Sequence, residues 1–307
     1  MKSMVLSAGL LALSVGAVQA QGLSIGGNGR MGVQYDSSGL NTLTGTSNYR
    51  TEARLQLDFS ATVRADHGLR LGAFTRARMQ SQGGTATQQQ TGQFSGARVF
   101  VEAEGFRLTF GNQHGAIATS GTARGVGGRV GYEGGQQHGE TAGLRGVVTR
   151  FNSTGATGAN TVGQQTIHAR YSAGDWAAAL STERGRGWEV GARARLDAIT
   201  VAAGYQSARG GTARVATASA HYDGGDWGVG VLVARIAAGA PAITNGSISA
   251  NVSLGGGDLY GYVARTGGSN AFGVSYGYGL GGGARVVAGG ERVGRRNTAS
   301  VGVVFRF

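Results

Sequence analysis

The chain has 307 residues, 28 Lys+Arg against 16 Asp+Glu, a formal net charge of +12 and no cysteine. The missing cysteines exclude a disulfide framework and a thiolate metal site, while the basic balance admits nucleic acid or an anionic surface as partner. No run of adjacent basic residues and no RNP-like or zinc-finger pattern occurs, however, and many arginines share one parity of alternating segments, which points to a polar lumen.

The N-terminus reads as a targeting signal. Lys2, the only lysine, precedes an apolar stretch from Met4 to Val18, and Val18-Gln19-Ala20 fits small-x-small cleavage. Residues 1–20 are therefore expected to be a secretory signal peptide and 21–307 the mature protein. No other segment is long and apolar enough for a membrane helix.

Alternation begins almost at once. In Gly22 to Asp36, Leu23, Ile25, Met31, Val33 and Tyr35 share one parity, and Ser24, Asn28, Arg30, Gln34 and Asp36 the other. Next, Tyr49, Ala53, Leu55, Leu57, Phe59 and Val63 oppose Arg50, Glu52, Arg54, Gln56, Asp58 and Arg64. Successive side chains of a strand point to opposite faces, so each strand has one apolar and one polar face. Further strands are expected near 67–80, 95–104, 106–111, 165–173, 175–184, 187–197 and 199–208, and then near 212–223, 226–236, 246–255, 258–266, 271–278, 284–292 and 298–307. The total is sixteen, an even number.

Connections alternate too. Tight turns are expected near Asp66, Gly105, Gly174, Ala198, Gly224, Gly256 and Gly281, and longer ones near Thr44, Thr85, Ala240, Gly268 and Arg296, with short exceptions near Gly187 and Gly210. Short inner turns and longer outer loops are the habit of outer-membrane barrels. Aromatic residues near strand ends, among them Tyr35, Tyr49, Phe110, Trp176, Trp188 and Trp227, fit the girdles at a membrane's two interfaces. A soluble sandwich also alternates, but an uninterrupted array of sixteen strands behind a secretory signal favours an all-β, antiparallel transmembrane barrel, whose closure satisfies every backbone group in lipid.

One stretch breaks the rhythm. Residues 112–164 are rich in Gly, Thr, Ala and Gln, and a loop of this length is functional or disordered. The expectation is that it folds into the lumen and sets the pore. On the lumen parity of the early strands stand Arg30, Arg50, Arg54, Arg64, Arg70, Arg76, Arg78, Arg98 and Arg107, with Asp36, Glu52, Asp58, Glu102 and Glu104. Arg54, Arg76 and Arg98 lie nearest mid-height and are the constriction candidates, with Glu133 and Glu140 of the loop opposite. Rings of arginine favour anions and keep their charge at any relevant pH; the alternative, that most pair with neighbouring carboxylates and only keep the lumen wet, stays open.

These residues also carry a resemblance. The strand Arg30-Met31-Gly32-Val33, the turn Tyr171-Ser172-Ala173-Gly174, the segment Leu280-Gly281-Gly282-Gly283-Ala284 and the closing run Ala299 to Phe307 are similar to the general porins of Gram-negative outer membranes, especially the Rhodobacter-type branch. The resemblance implies a sixteen-stranded, trimeric diffusion porin whose third outer loop narrows the channel, and a terminal Phe307 read by the outer-membrane assembly machinery. Contact between copies would use small outward residues such as Gly27, Gly29, Ala73, Ala77 and Ala299. The sequence departs from the family in its loop, where several carboxylates are usual: here Glu133 and Glu140 stand against Arg124, Arg129, Arg145 and Arg150.

Other chemistry finds little support. Gly27-x-Gly29-x-x-Gly32 and Gly277-x-Gly279-x-x-Gly282 match a dinucleotide fingerprint but lie in strand patterns without the required helix. Histidines 67, 114, 138, 168 and 221 lack metal-ligand spacing, so no metal or cofactor is expected. Ser219 and His221 share a strand face, yet no nucleophile elbow accompanies them. The expected function is passive diffusion of small hydrophilic solutes and ions, without enzymatic activity; the rivals are a substrate-specific channel and a barrel-embedded hydrolase.

Overall fold

The structure is a computed structural model that describes residues 22–39, 48–82, 90–126, 130–131, 138–153, 165–209, 212–238 and 241–307. The expected signal peptide lies outside these residues, as do the loop tips around Thr44, Thr85, Gly210 and Ala240. The chain forms β1 (Gly22–Asp36), β2 (Tyr49–Arg64), β3 (Arg70–Gln82), β4 (Gln90–Phe94), β5 (Arg98–Ala103), β6 (Phe106–Gly111), a short helix α1 (Ala116–Ser120), β7 (Thr166–Ala173), β8 (Trp176–Glu183), β9 (Gly187–Leu196) and β10 (Ile199–Gln206). It continues through β11 (Arg214–Asp223), β12 (Trp227–Ala237), β13 (Ile243–Leu254), β14 (Gly257–Thr266), β15 (Ser269–Gly281), β16 (Ala284–Val293) and β17 (Arg296–Arg306).

β4 and β5 both pair with β3, so they are two halves of one wall strand, and the seventeen segments make sixteen staves. The break between them is bridged by Ser95, whose N–H donates to Arg76 O at 2.7 Å and whose Oγ accepts from Arg76 N–H at 3.1 Å. The sequence reading began this stave at 95 and missed β4, because the Gln-rich run before Phe94 carries no apolar alternation. Neighbouring staves pair antiparallel, and β1 pairs with both β2 and β17, with Arg30 opposite Val304. The result is a closed, sixteen-strand antiparallel barrel.

Its polarity is inverted relative to a water-soluble domain. Leu23, Trp176 and Val263 lie outward at 73, 64 and 59% exposure, whereas Gln34 and Glu52 lie inward at 1 and 2%. An apolar outer band and a polar interior are what a bilayer selects, and a closed ladder leaves no unpaired edge in hydrocarbon.

The inner turns fall where the sequence places them. Gly255–Gly256 and Gly282–Gly283 each have φ positive at both positions, the requirement of a two-residue type I′ hairpin. Two outer connections are shorter than expected: β14 joins β15 through Gly267–Gly268, and β16 joins β17 through Gly294–Arg295. Both stretches look like loops in sequence, but the strands run on to their edges, and Gly267, Gly268 and Gly294, each with positive φ, supply the turns.

The seam between β1 and β17 explains two glycines differently from the sequence reading. A Cβ on Gly29 would stand 2.1 Å from Phe305 Cζ, and one on Gly27 would stand 2.9 Å from Phe307 Cζ. Their small size therefore admits aromatic rings of the same chain, while Ala77, also expected at a contact between copies, is 5% exposed. Replacing Gly29 by Leu should force Phe305 off β1 at a cost of about 1–3 kcal/mol. The expected result is a lower yield of the compact, unheated species in gel electrophoresis, with recovery in a Gly29→Leu/Phe305→Ala double variant.

Candidate functional site

The described residues of the stretch after β6, 112–126, 130–131 and 138–153, enter the barrel and dock on one side of its interior. At the loop's base, Asn112 Nδ2 donates to Gly96 O at 3.1 Å and Asn152 O at 2.7 Å, and its Oδ1 accepts from Asn152 N–H at 2.8 Å. Helix α1 then lies against β8, β9 and β10. A Cβ on Gly191 would stand 2.5 Å from Ala116 O and 2.6 Å from Gly121 N, so a glycine inside this strand marks a close backbone approach.

Polar wall side chains hold the loop's backbone. Glu189 accepts from Ile117 N–H at 3.1 Å and from Thr149 N–H at 2.7 Å. Ser181 Oγ accepts from Ala116 N–H and Ser219 Oγ from Ala123 N–H, both at 2.8 Å. Farther round, Ser247 Oγ donates to Glu140 O at 2.8 Å, Asn245 Nδ2 to Ala142 O at 3.0 Å, and Glu291 accepts from His138 N–H at 3.3 Å. Beneath the loop, Ile117, Leu144 and Val148 pack with Val215, Leu232 and Ala234 in a small apolar core. Those three wall residues face inward and break the polar parity of β11 and β12. Backbone groups taken out of water need partners, and this wall supplies them.

The opposite wall, β1 to β3, carries the arginines. Between it and the loop lies a cavity of about 770 Å³, lined among the described residues by seven arginines (Arg30, Arg54, Arg76, Arg78, Arg145, Arg150 and Arg306) and two carboxylates, Asp58 and Glu140. Arg30 pairs with Glu52, its Nε donating at 2.7 Å. Arg76 grips Asp58 with two nitrogens, at 2.5 and 3.0 Å. Arg54 donates to Asn28 Oδ1 at 3.1 Å and Arg78 to Gln56 Oε1 at 2.9 Å. Two of the arginines thus share their charge with an adjacent acid, while these two hold hydrogen bonds to neutral amides.

The expected residues separate into groups. Arg30, Arg54, Arg76, Arg78 and Glu140 meet around one cavity. Arg50 lies higher on β2, with its Nε on Gln34 at 2.6 Å. Arg98, expected at the constriction, does not line the cavity; its guanidinium stacks on Phe74 at 4.1 Å and donates to Gln113 at 2.8 Å, bracing the loop's entry. Glu133 lies outside the described residues. Glu140 is not the head of an acidic face, since Arg145 and Arg150 share the loop's side of the cavity. The sequence reading missed Glu189, Glu291 and the wall serines, though each lies on lumen parity in its strand.

His114, at the loop's start, accepts from Phe151 N–H at its Nδ1, 3.1 Å away. Burial, and then the neighbouring charge of Arg150, lowers its pKa from the ordinary 6.5 to about 4. Phe151 in turn stacks under the guanidinium of Arg76, 5.0 Å from the ring centre.

A closed, lipid-facing barrel with an in-folded loop and a charged lumen defines a membrane channel protein. The sequence matches the Gram-negative porin family over residues 7–298, and the chain belongs to that family. It is an outer-membrane diffusion channel. Similar solved structures include a triple mutant of the Rhodopseudomonas blastica porin, with TM-score 0.74, 21% identity and coverage of 93% of this chain and 100% of that one. A double mutant of the Rh. blastica porin aligns with TM-score 0.73, 21% identity and the same coverage. A structure described under asymmetric conductivity of engineered proteins aligns with TM-score 0.75 and 23% identity, again over 93% of this chain and 100% of that one. No curated protein matches the sequence.

Loss of Glu189 should free the loop, because two buried N–H groups lose a charged acceptor, each bond being worth about 1.5–3 kcal/mol. Glu189→Ala is expected to give larger, noisier conductance steps in planar bilayers. Gly191→Val should act in the same direction by displacing α1. Acid should loosen the loop through His114. Between pH 6.5 and about 4 the released loop binds a proton that the docked loop excludes, so docking weakens as pH falls through that window and weakens no further below it. Channel closures or added noise should grow across this range, and His114→Asn, which keeps an acceptor but does not titrate, should flatten the response.

Proposed function

We propose that this porin passes small hydrophilic solutes and ions with a preference for anions. The observation that carries the reading is the ratio of seven arginines to two carboxylates around the cavity. Fixed charge in a pore selects by sign, and arginine does not titrate away.

The reading extends to four further points. The channel carries out no chemistry: Ser219, the residue that could pair with His221, is occupied in holding Ala123 N–H. The family's trimeric habit holds for this chain. Phe307, 59% exposed on the barrel's outer face, engages the outer-membrane assembly machinery. Residues 1–20 are removed on export.

A unit charge about 10 Å from a passing ion is worth about 0.4 kcal/mol in water. Removing one lumen arginine relieves cations and deprives anions by that amount, so the anion-to-cation ratio should fall about fourfold per arginine at low salt. Arg54→Gln and Arg78→Gln should each shift the reversal potential in a salt gradient toward zero, and the pair should shift it further. A cation-selective wild-type potential would overturn the preference and leave the diffusion channel intact.

A further inference from the structure

The outer face of the barrel has its own charge pattern. Among the described strand residues no carboxylate points outward; the acids face the lumen or sit in turns. Arginines also face the lumen, with four exceptions. Arg214, Arg235, Arg265 and Arg292 continue the outward parity of Ala216, Val233, Val263 and Gly290, and all four are exposed. Each stands at the outer end of its strand, on β11, β12, β14 and β16. The inner ends of the same wall carry neutral aromatics instead, among them Tyr222, Trp227 and Tyr278. Along this wall the two membrane interfaces are therefore met by different chemistry, aromatic rings at the inner ends and guanidinium groups at the outer ends. Among the described residues none of the four arginines has an ion-pair partner. Arg292 Nε donates to Gly294 O at 2.9 Å, which leaves its two terminal nitrogens for a ligand.

Directly inward of Arg265 and beside Arg292 the wall is hollow. Ala250 and Gly261 form the floor of a groove of about 670 Å³, with Ile248, Val263, Phe272 and Val274 as its flanks and Gly290 beyond Val274. The register sets Ala250 opposite Gly261 and Val263 opposite Phe272, so small residues on adjacent staves make one trough with a ridge above it. Lipid tails are as apolar as the wall, so the trough alone draws nothing from the bilayer. An anionic headgroup at the arginines supplies that selection, because guanidinium binds phosphate oxygens through parallel, charge-assisted hydrogen bonds. The trough then seats an acyl chain of the same molecule.

We propose that the outer rim from β11 to β16 binds phosphate-bearing lipid of the outer leaflet, with Arg265 and Arg292 on the headgroup and an acyl chain in the groove below. Arg214 and Arg235 offer the same chemistry to a neighbouring headgroup. The occupant is a lipid rather than a second copy of this chain, whose outward strand faces offer the arginines no described carboxylate.

Native mass spectrometry of the detergent-solubilised barrel, titrated with dioleoylphosphatidic acid, tests this directly. Retained adducts are expected on the wild-type protein, with dioleoylglycerol, the same tails without phosphate, binding about tenfold or more weakly. Arg265→Gln/Arg292→Gln should weaken the phosphatidic acid adduct by a similar factor, and Arg64→Gln, at the inner mouth, should not. Gly261→Leu should weaken it by filling the trough. Unchanged gel mobility of every variant, and unchanged single-channel conductance of the outer-face variants, would show that they are folded. The proposal is overturned if dioleoylglycerol binds as well as phosphatidic acid, if the double variant binds undiminished, or if inorganic phosphate alone competes at the lipid's own concentration. It is equally overturned if a cysteine introduced at position 265 cross-links to a second copy, which would make this face a contact between chains.

Discussion

Every other property of this protein depends on one demand, that no backbone N–H or C=O face hydrocarbon unpaired. The sixteen staves meet it by pairing in sequence order and returning β17 to β1. Closure then fixes the side-chain code, since whatever alternates along a strand must face either lipid or lumen. Leucine, valine and tryptophan go out and glutamine, glutamate and arginine go in, which makes the interior the expensive place to put an apolar residue. The interior apolar residues Val215, Leu232 and Ala234 occur where the loop covers them.

The loop and the two walls divide the lumen's charge. Carboxylates on the far wall, Glu189 and Glu291, are spent on loop N–H groups. Glu52 and Asp58 on the near wall offset Arg30 and Arg76. Arg54 and Arg78 rest on amides instead, so positive charge dominates the opening. A wall that anchors and a wall that charges the pore are distinct surfaces, and the loop connects them through Phe151 and Ser153, both of which touch Arg76.

Much of the barrel was legible because alternation is a local property. Tyr49 to Arg64 announces its two faces residue by residue, and the inner turns announce themselves by glycine. The stave split into β4 and β5 was hidden because Gln-rich sequence carries no face preference. The tight outer turns at Gly267–Gly268 and Gly294–Arg295 were hidden because glycine fits a loop and a two-residue hairpin turn alike. At the site, parity and mid-height counting located Arg54 and Arg76. Counting height along a strand could not reveal that Arg98 turns onto Phe74. The loop's counterpart was sought in its own carboxylates, whereas its anchors stand on distant strands as ordinary lumen-parity residues. Glycines inside strands, such as Gly191, were the available sign of where the loop would lie.

The pairing of β1 with β17 also bears on time. It joins the two most distant strands of the chain, and non-local pairings of this kind form slowly because the intervening chain must first be ordered. Until they meet, β1 and β17 each present an open row of donors and acceptors to any passing strand. The seam that makes the finished wall inert in lipid is thus the feature that makes the unfinished wall adhesive in water, so the interval before closure is when this chain most needs shelter.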